Sequence, residues 1–430
     1  MLAASTFAQT PDKQPNFVFI LVDDMGWTGT SSLMSSKMND SKSDFYQTPN
    51  IAALAKQGVT FCNAYSPAPL CTPSRASILT GKSPAQLHMT TPGPVRRHTP
   101  SWQKIISPQH INSLPVKEST IAEVLKTKNY ATAHFGKWHL SGGGPGKHGF
   151  DQHDGNTGNG GPGKYKDPNP KDIFAITKRA NAFMEDNVKN GKPFYVQLSH
   201  FAVHSPHEAL EKTIESCSKR KASKYHSNNK YAAMTQDLDT SIGQVLAKIK
   251  QLGIEKNTYV ILMSDNGASI RNSRKENAPL SGGKGSLYEG GVRVPLIIRG
   301  PNIKASQFQN ANVIAYDLFP TLCALTGADV DHQIEGSSIL PTLFGDQQDL
   351  ADRILYWIRR EGTMRFLGLC QPAVRRGDLK LLHNSPFDPL ELYHLGEDPG
   401  EETDRTSGDP ESFKEMAQLL QREMQPAGAV

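Results

Sequence analysis

The chain has 430 residues, 37% hydrophobic and 21% charged, with a formal net charge of +5. That length exceeds what one hydrophobic core usually supports, so a large domain with a smaller one attached is expected. No stretch is long and apolar enough to span a membrane, and the basic residues are scattered rather than gathered into a nucleic-acid module, so neither a membrane span nor a nucleic-acid partner is expected.

Residues 1–15 read as the remnant of a secretory signal and an N-terminal tail. Thr6-Phe7-Ala8 places small residues around a cleavage point before Gln9, which implies a periplasmic or secreted protein. Asn16 to Val22 is a continuous apolar run, as expected of a strand buried on both faces of a parallel sheet. It ends on Asp23-Asp24, where open α/β sheets place their ligands, and two adjacent carboxylates there call for a cation. Thr48-Pro49-Asn50 opens a helix that runs to Lys56, with Thr48 as cap and Gly58 as stop. Val59 to Ala64 is the next strand, and the turn Ser66-Pro67-Ala68-Pro69 delivers the chain to Cys71. There Pro73 stands early in a helix and Gly81 ends it. Residues 84–115 read as loops over the site.

Thr120 to Glu123 is a capping box in front of Ile121, Val124 and Leu125. A strand over Tyr130 to Phe135 leads into Gly136-Lys137-Trp138-His139, and if extended geometry persists Lys137 and His139 share a side. The glycine-rich stretch 141–170 is long for a structureless segment and reads as a substrate-facing loop. Asp172 to Asn190 is helical in composition. Phe194 to Leu198 is a buried strand running into His200, His204 and His207. Three histidines so close suggest zinc, but the acidic, oxygen-rich partners elsewhere favour a hard cation. The basic run Lys219-Arg220-Lys221 with Lys224 reads as a solvated face, with help in holding a polyanion as its alternative use.

From Tyr231 to Leu252, Met234, Leu238, Ile242, Val245 and Leu246 mark a helical core face. Thr258 to Met263 repeats the first strand and ends on Asp265-Asn266. Two buried strands finishing in Asp-Asp and Asp-Asn supply oxygen ligands suited to Ca2+ or Mg2+, with calcium the better match for so many protein ligands. Residues 281–295 are glycine-rich but lack the pattern of a nucleotide-binding loop. Tyr288, Glu289 and Arg293 read as locally paired scaffold. A helix from Leu318 to Leu325 closes the large domain, and 328–352 reads as a connector. The tail holds short strands at Ile354 to Ile358, Ala373 to Arg376, Leu379 to His383 and Glu391 to Tyr393, then a helix near Glu411 to Arg422. The five cysteines show no C-x-x-C spacing, which argues against zinc or redox motifs, and Cys62, Cys217, Cys323 and Cys370 leave disulfide pairing open.

Cys71 to Gly81 resembles the sulfatase signature C-x-P-S-R-x-x-x-L-T-G at every fixed position. Gly136-Lys137-Trp138-His139, Val203-His204-Ser205-Pro206-His207, Ser281 to Pro295, and the tail segments Arg376 to Leu381 and Glu391 to Glu401 resemble further elements of that family, so that the likeness runs from about Asn16 to about Asp404. Within the family the pattern is similar to bacterial carbohydrate sulfatases, N-acetylgalactosamine-6-sulfatases and arylsulfatases.

The resemblance implies an alkaline-phosphatase-like α/β domain over 16–350, its mostly parallel sheet sandwiched by helices, and a smaller C-terminal α+β subdomain over 351–430 with an antiparallel sheet and a helix. It implies that Cys71 is oxidised to formylglycine by a formylglycine-generating or anaerobic sulfatase-maturing enzyme. One oxygen of the hydrated aldehyde then attacks the sulfur of a sulfate ester. Asp23, Asp24, Asp265 and Asn266, with modified Cys71, would hold the cation. Arg75, Lys137 and Lys284 would offset sulfate charge, His204 would protonate the leaving alcohol, and His139 would remove a proton from the second diol oxygen. His200 and His207 are expected to be structural or substrate-facing. The implied substrate is a sulfated carbohydrate. Two rivals are a phosphodiesterase or phosphonate monoester hydrolase of the same superfamily, and a sulfated-glycan-binding protein in which Cys71 is never oxidised.

Overall fold

The computed structural model describes residues 13–93, 111–160, 167–270, 275–346, 348, 350, 352–360 and 370–424. The reading of residues 1–10 as a secretory remnant falls outside them, as do parts of the loops expected over 84–115 and 141–170.

In chain order the large sheet takes its strands from β1 (Asn16–Val22), β2 (Val59–Tyr65), β3 (Ala131–Gly136), the two-residue β4 (Gln152–His153), β5 (Phe194–Ser199), β6 (Thr258–Ser264), β7 (Leu296–Arg299) and β8 (Gln307–Ile314). Among the described residues they form one eight-stranded sheet in the order β4-β3-β5-β1-β6-β7-β2-β8. It is parallel except at β7, which runs against both neighbours. Successive residues of a strand face opposite ways, so β1 serves two cores. Val18, Ile20 and Val22 pack toward α1 (Pro49–Lys56), α4 (Ile173–Lys189) and α6 (Asn229–Gln251). Phe17, Phe19 and Leu21 pack toward α2 (Cys71–Thr80), α3 (Ile121–Lys126) and α8 (Leu318–Thr326). That double burial is why the strand reads as a continuous apolar run with no alternation.

Further along the chain, β9 (Ile354–Arg360), β10 (Cys370–Arg376), β11 (Leu379–Leu382) and β12 (Glu391–His394) form a four-stranded antiparallel sheet. One face, with Val374, Leu381 and Leu392, is covered by Met416, Leu419 and Leu420 of α10 (Pro410–Met424). The other face places Leu355, Trp357, Ala373 and Leu382 against Tyr65, Leu287, Val292 and Ile314. The small sheet is thus seated directly behind the glycine-rich stretch around α7 (Glu289–Val292).

Several local expectations change. The capping box at Thr120 and Glu123 forms, but Thr48 makes no side-chain cap to α1. Asp239 of α6 takes that role, its Oδ1 accepting from Ile51 N at 2.8 Å and its Oδ2 from Asn50 N at 3.1 Å. β8 is a polar edge strand, and α5 (Glu211–Ser218) is short and half-exposed, so neither shows the apolar periodicity that marks an element. The connector holds α9 (Leu340–Phe344), and Ile339, Leu343 and Leu350 are buried there in the large core. The basic run is largely engaged: Lys219 pairs with Glu215, Lys224 with Asp40, and Arg220 donates to Gln236. Cys62, Cys71, Cys217 and Cys323 are free thiols, and the side chain of Cys370 lies outside the described residues.

Candidate active site

Four neighbouring parallel strands, β3, β5, β1 and β6, end side by side, and their sheet bonding continues past the last strand residue. Asp265 N donates to Val22 O at 3.0 Å, Lys137 N to Ser199 O at 2.7 Å, Asp23 N to Ala202 O at 2.9 Å and Val203 N to Asp23 O at 2.7 Å. The carboxyl ends of β1 and β6 therefore bring Asp23, Asp24, Asp265 and Asn266 together, all at 2% exposure or less. α2 begins opposite them with Cys71. One ligand atom from each of Asp23, Asp24, Cys71 and Asp265 lies within 4.8 Å of the others.

Three cations match the three carboxylates. Arg75 Nε donates to Asp265 Oδ2 at 2.8 Å and its Nη1 to Lys137 O at 2.7 Å. Lys137 Nζ sits 2.6 Å from Asp23 Oδ2. Lys284 Nζ donates to Asp24 Oδ1 and Oδ2 at 2.7 and 2.8 Å. Burial favours the neutral acid, yet Lys137, His204, Arg75 and Lys284 outweigh it at Asp23 and hold that carboxyl well below the usual range. Asp265 goes the other way, pushed up by burial and by the neighbouring Asp23 and Asp24 charges against the pull of Arg75.

Cys71 Sγ lies 3.3 Å from Asp23 Oδ1 and 3.2 Å from Lys284 Nζ. Burial, then the charges of Asp23 and Asp265, push its thiol far up. A thiol made reactive by its surroundings shows the opposite shift.

The donor set suits a hard divalent cation. Three carboxylates converge, and the Oδ1 of Asn266 is buried beside them with no hydrogen-bond partner. Asn266 Nδ2 donates to Asp24 Oδ1 at 2.7 Å and to Gly267 O at 2.9 Å, which orients the amide and leaves its oxygen free. The site lacks the thiolate and imidazole cage of a structural zinc centre.

Lys137 and His139 both reach this pocket, but by a different path from the extended one expected. β3 ends at Gly136 with φ 97°, and His139 has φ 57°, so the chain turns instead of continuing. Thr157 holds that turn. Its Oγ1 donates to Gly136 O at 2.6 Å and accepts from Trp138 N at 2.8 Å, and its carbonyl accepts from His139 N at 2.8 Å. The His139 ring meets Thr72 Oγ1 at 3.4 Å through Nδ1. Burial, then Lys137 and Arg75, hold its pKa down to about 2, so the imidazole is neutral.

His204 Nδ1 is 2.5 Å from Ser205 O. A carbonyl only accepts, so Nδ1 carries hydrogen and Nε2, 3.7 Å from Asp24 Oδ2, faces the pocket. Burial lowers its pKa while Asp23 and Asp24 pull the other way. His200 is wholly buried with neither ring nitrogen bonded, and burial takes its pKa to about 3. His207 stands edge-on to Tyr231 at 5.2 Å.

The Lys284 segment is tied to both motifs it serves: Lys284 N donates to Ala268 O at 3.0 Å, just past β6, and Gly285 N to Pro69 O at 2.9 Å, just before Cys71. Thr157 and Tyr231, whose hydroxyl lies 3.3 Å from Asp24 O, are supports that sequence reasoning missed. Thr157 sits in a glycine-rich stretch and Tyr231 at a helix start, and neither carries a local signal.

The chain is similar to known proteins over most of its length. The family model described as Sulfatase matches residues 15–328, and one described as N-sulphoglucosamine sulphohydrolase, C-terminal, matches 283–428. The chain is 30% identical to N-acetylgalactosamine-6-sulfatase of Rattus norvegicus over 398 residues, covering 84% of the chain and 71% of that protein. It is also 30% identical over 383 residues to the ulvan-active sulfatase of Formosa agariphila, covering 80% of the chain and 68% of that protein. The crystal structure of Ps i-CgsB in complex with k-i-k-neocarrahexaose superposes with a TM-score of 0.79 at 25% identity, covering 95% of the chain and 92% of that one.

Proposed function

The chain belongs to the sulfatase family and is a sulfuric ester hydrolase; from that premise we propose that it removes sulfate from a sulfated carbohydrate, with position 71 carrying formylglycine and Asp23, Asp24, Asp265 and Asn266 holding a divalent cation, calcium before magnesium. The observation that carries the reading is the state of Cys71. Its thiol is buried among carboxylates that keep it protonated, so as cysteine it is inert where the chemistry must occur. Formylglycine there supplies two geminal hydroxyls, one to attack sulfur and one to release the sulfate afterwards. The cation supplies Lewis-acid polarisation of the sulfate oxygens.

The remaining work falls to side chains already in place. Lys137, Lys284 and Arg75 offset the charge that grows on the sulfuryl oxygens, in a pocket where Lys137 and Arg75 are at most 2% exposed and fixed charges count for more than in water. His204, with Nε2 turned to the pocket, delivers a proton to the leaving alcohol oxygen. His139, kept neutral by burial and then by its cationic neighbours, takes up a proton from the group at position 71.

The relatives' names support the carbohydrate, since they refer to N-acetylgalactosamine 6-sulfate, ulvan and a neocarrahexaose complex. Such polymers are met outside the cytoplasm, which favours the periplasmic or secreted setting and a maturing enzyme as partner. Among the described residues no helix is long and apolar enough to cross a membrane.

Mass spectrometry of the peptide containing Cys71, from protein made beside a maturation system, is the direct test. The expected result is the aldehyde mass together with turnover of aryl and sugar sulfates. Turnover by protein carrying only the thiol would overturn the mechanism, and faster turnover of phosphate diesters than of sulfates would replace the substrate class.

A further inference from the structure

Lys171 carries charge to a place where none of the described residues pairs with it. It is 4% exposed, and among the described residues its ammonium makes neither a hydrogen bond nor an ion pair. The backbone is bent to put it there, because Lys171 and Asp172 both take left-handed conformations, with φ 52° and 56°. Non-glycine residues resist that region and stay in it only when their surroundings hold them. Here Asn169 Oδ1 accepts from Phe174 N and Ala175 N at 3.2 and 3.1 Å, its Nδ2 donates to Asp172 Oδ1 at 2.9 Å, and Arg179 holds Asp172 Oδ2 at 2.6 Å.

The segment that carries Lys171 runs beside the stretch after His204, since Asp167 Oδ2 accepts from Glu211 N at 3.3 Å, and the charges that act on Lys171 are Glu208 first, then Asp23, Lys137 and Asp24. It therefore borders the sulfate pocket on the side of the His204 loop. Glu208, four residues beyond His204, has its Oε2 shielded from water and without a hydrogen-bond partner. A buried ammonium and a nearby carboxylate ordinarily close into contact, since each left alone carries an uncompensated desolvation cost. These two stay apart. Nor is Lys171 needed to neutralise the ion-binding carboxylates, which Arg75, Lys137 and Lys284 already match one to one.

An unpartnered donor and a shielded acceptor that do not close on each other form the pattern that one hydroxyl completes, its oxygen accepting and its hydrogen donating. We infer that Lys171 and Glu208 read the sugar: they bind a ring hydroxyl next to the sulfated carbon, the ammonium donating to its oxygen and the carboxylate accepting its proton. This rests on the carbohydrate reading above and narrows it to a ring whose neighbouring position is a free hydroxyl. A carboxylate or second sulfate there would face the charge of Glu208. His207, which flanks the pair, adds no compensating charge, since burial and Lys171 hold its pKa down to about 4.

The test compares kcat/KM on three substrates: an aryl sulfate without ring hydroxyls, the sulfated monosaccharide turned over best in a defined panel, and its deoxy form lacking the hydroxyl beside the sulfated carbon. Lys171→Met is expected to lower the sugar-to-aryl ratio by about tenfold to a hundredfold, Glu208→Gln by less, and each to shrink the wild-type preference for the hydroxylated sugar over the deoxy sugar. Equal losses on sugar and aryl sulfate in both variants, with the preference intact, would overturn the inference and make Lys171 a counter-charge. Thermal melts identify a variant that fails to fold, and Glu208→Gln then decides alone. Wild-type enzyme that turns over the aryl sulfate but no sugar in the panel would remove the carbohydrate reading itself, an outcome distinct from a sugar ratio that does not move.

Discussion

Two clusters of buried charge flank the stretch 281–293, and they are finished differently. In the pocket at the strand ends, Asp23, Asp24 and Asp265 face Arg75, Lys137 and Lys284, yet Arg75 Nη2, 3.9 Å from Asp23 Oδ1, and Asn266 Oδ1 make no hydrogen bond. At the junction with the small sheet, Lys380 Nζ bridges Glu289 Oε1 at 2.9 Å and Glu401 Oε1 at 2.8 Å. Glu401 Oε2 accepts from Glu289 N at 2.6 Å, Glu289 Oε2 accepts from the Tyr65 hydroxyl at 2.7 Å, and Arg375 reaches that hydroxyl from β10. Asp23, Asp265, Lys137, Glu289 and Lys380 are alike 0% exposed, so burial does not tell the two clusters apart. Completed hydrogen bonding does. A closed network holds a structure together, whereas buried atoms with open valences wait for a ligand. Tyr288, Glu289 and Arg293 are scaffold as expected from the sequence. Their pairing is not only local, because Lys380, Glu401 and Glu391 come from the C-terminal segment.

The sharpest way to break the contrast is Lys380→Met, which leaves two buried carboxylates facing each other. Removing one partner of such a network costs about 3–5 kcal/mol, so denaturant or thermal unfolding should show a large loss while turnover per folded molecule holds. A collapse of turnover at unchanged stability would move the junction into the catalytic machinery. Asp265→Asn should do the reverse. The amide still accepts from Arg75 but offers one charge fewer to the ion, so turnover should drop by about 10²–10³-fold with little change in the melting temperature of the metal-free protein. Activity near that of the parent protein would remove Asp265 from the ion site.

Metal sharpens the same contrast at lower amplitude. A cation at a hundred times its dissociation constant should stabilise the folded chain by about 2.7 kcal/mol, and chelation should reverse it. Lys380→Met should keep that increment and Asp265→Asn should lose most of it, as read from melting temperature with and without calcium. Equal increments in both would place the ion elsewhere.

Taken per pH unit, the smallest expected effect is in protonation. Burial and the charge of Glu289, against the pull of Lys380, raise Glu401 from 4.5 to about 7. Between those values the folded state binds the extra proton, so stability falls as pH rises, by at most about 1.4 kcal/mol per pH unit. At Glu289, Lys380, Arg293 and Arg375 outweigh burial and hold the carboxyl to about 2, which gives stability that is present above 4.5 and lost as pH falls toward 2. Glu401→Gln should flatten the decline above pH 4.5 and leave the acid-side loss, in melts recorded across both ranges. The same decline in variant and parent would show that Glu401 is not its source.

The amino-acid sequence alone was enough for the elements whose cause is local. Continuous apolar runs announced β1, β5 and β6, which are covered on both faces, and the capping box announced α3. The residues at the strand ends, Asp23, Asp24, Lys137, Asp265 and their partners Cys71 and Lys284, stood in motifs that the family resemblance made readable. What only the tertiary structure decided was which charges find a partner and which do not. Asp239 caps a helix 188 residues away in sequence, Lys380 closes on Glu289 across 91 residues, and Lys171 and Glu208 are brought near each other but not into contact. Apolar periodicity is a property of consecutive residues, whereas the fate of a charge depends on how much water the finished fold leaves around it and which distant groups arrive beside it.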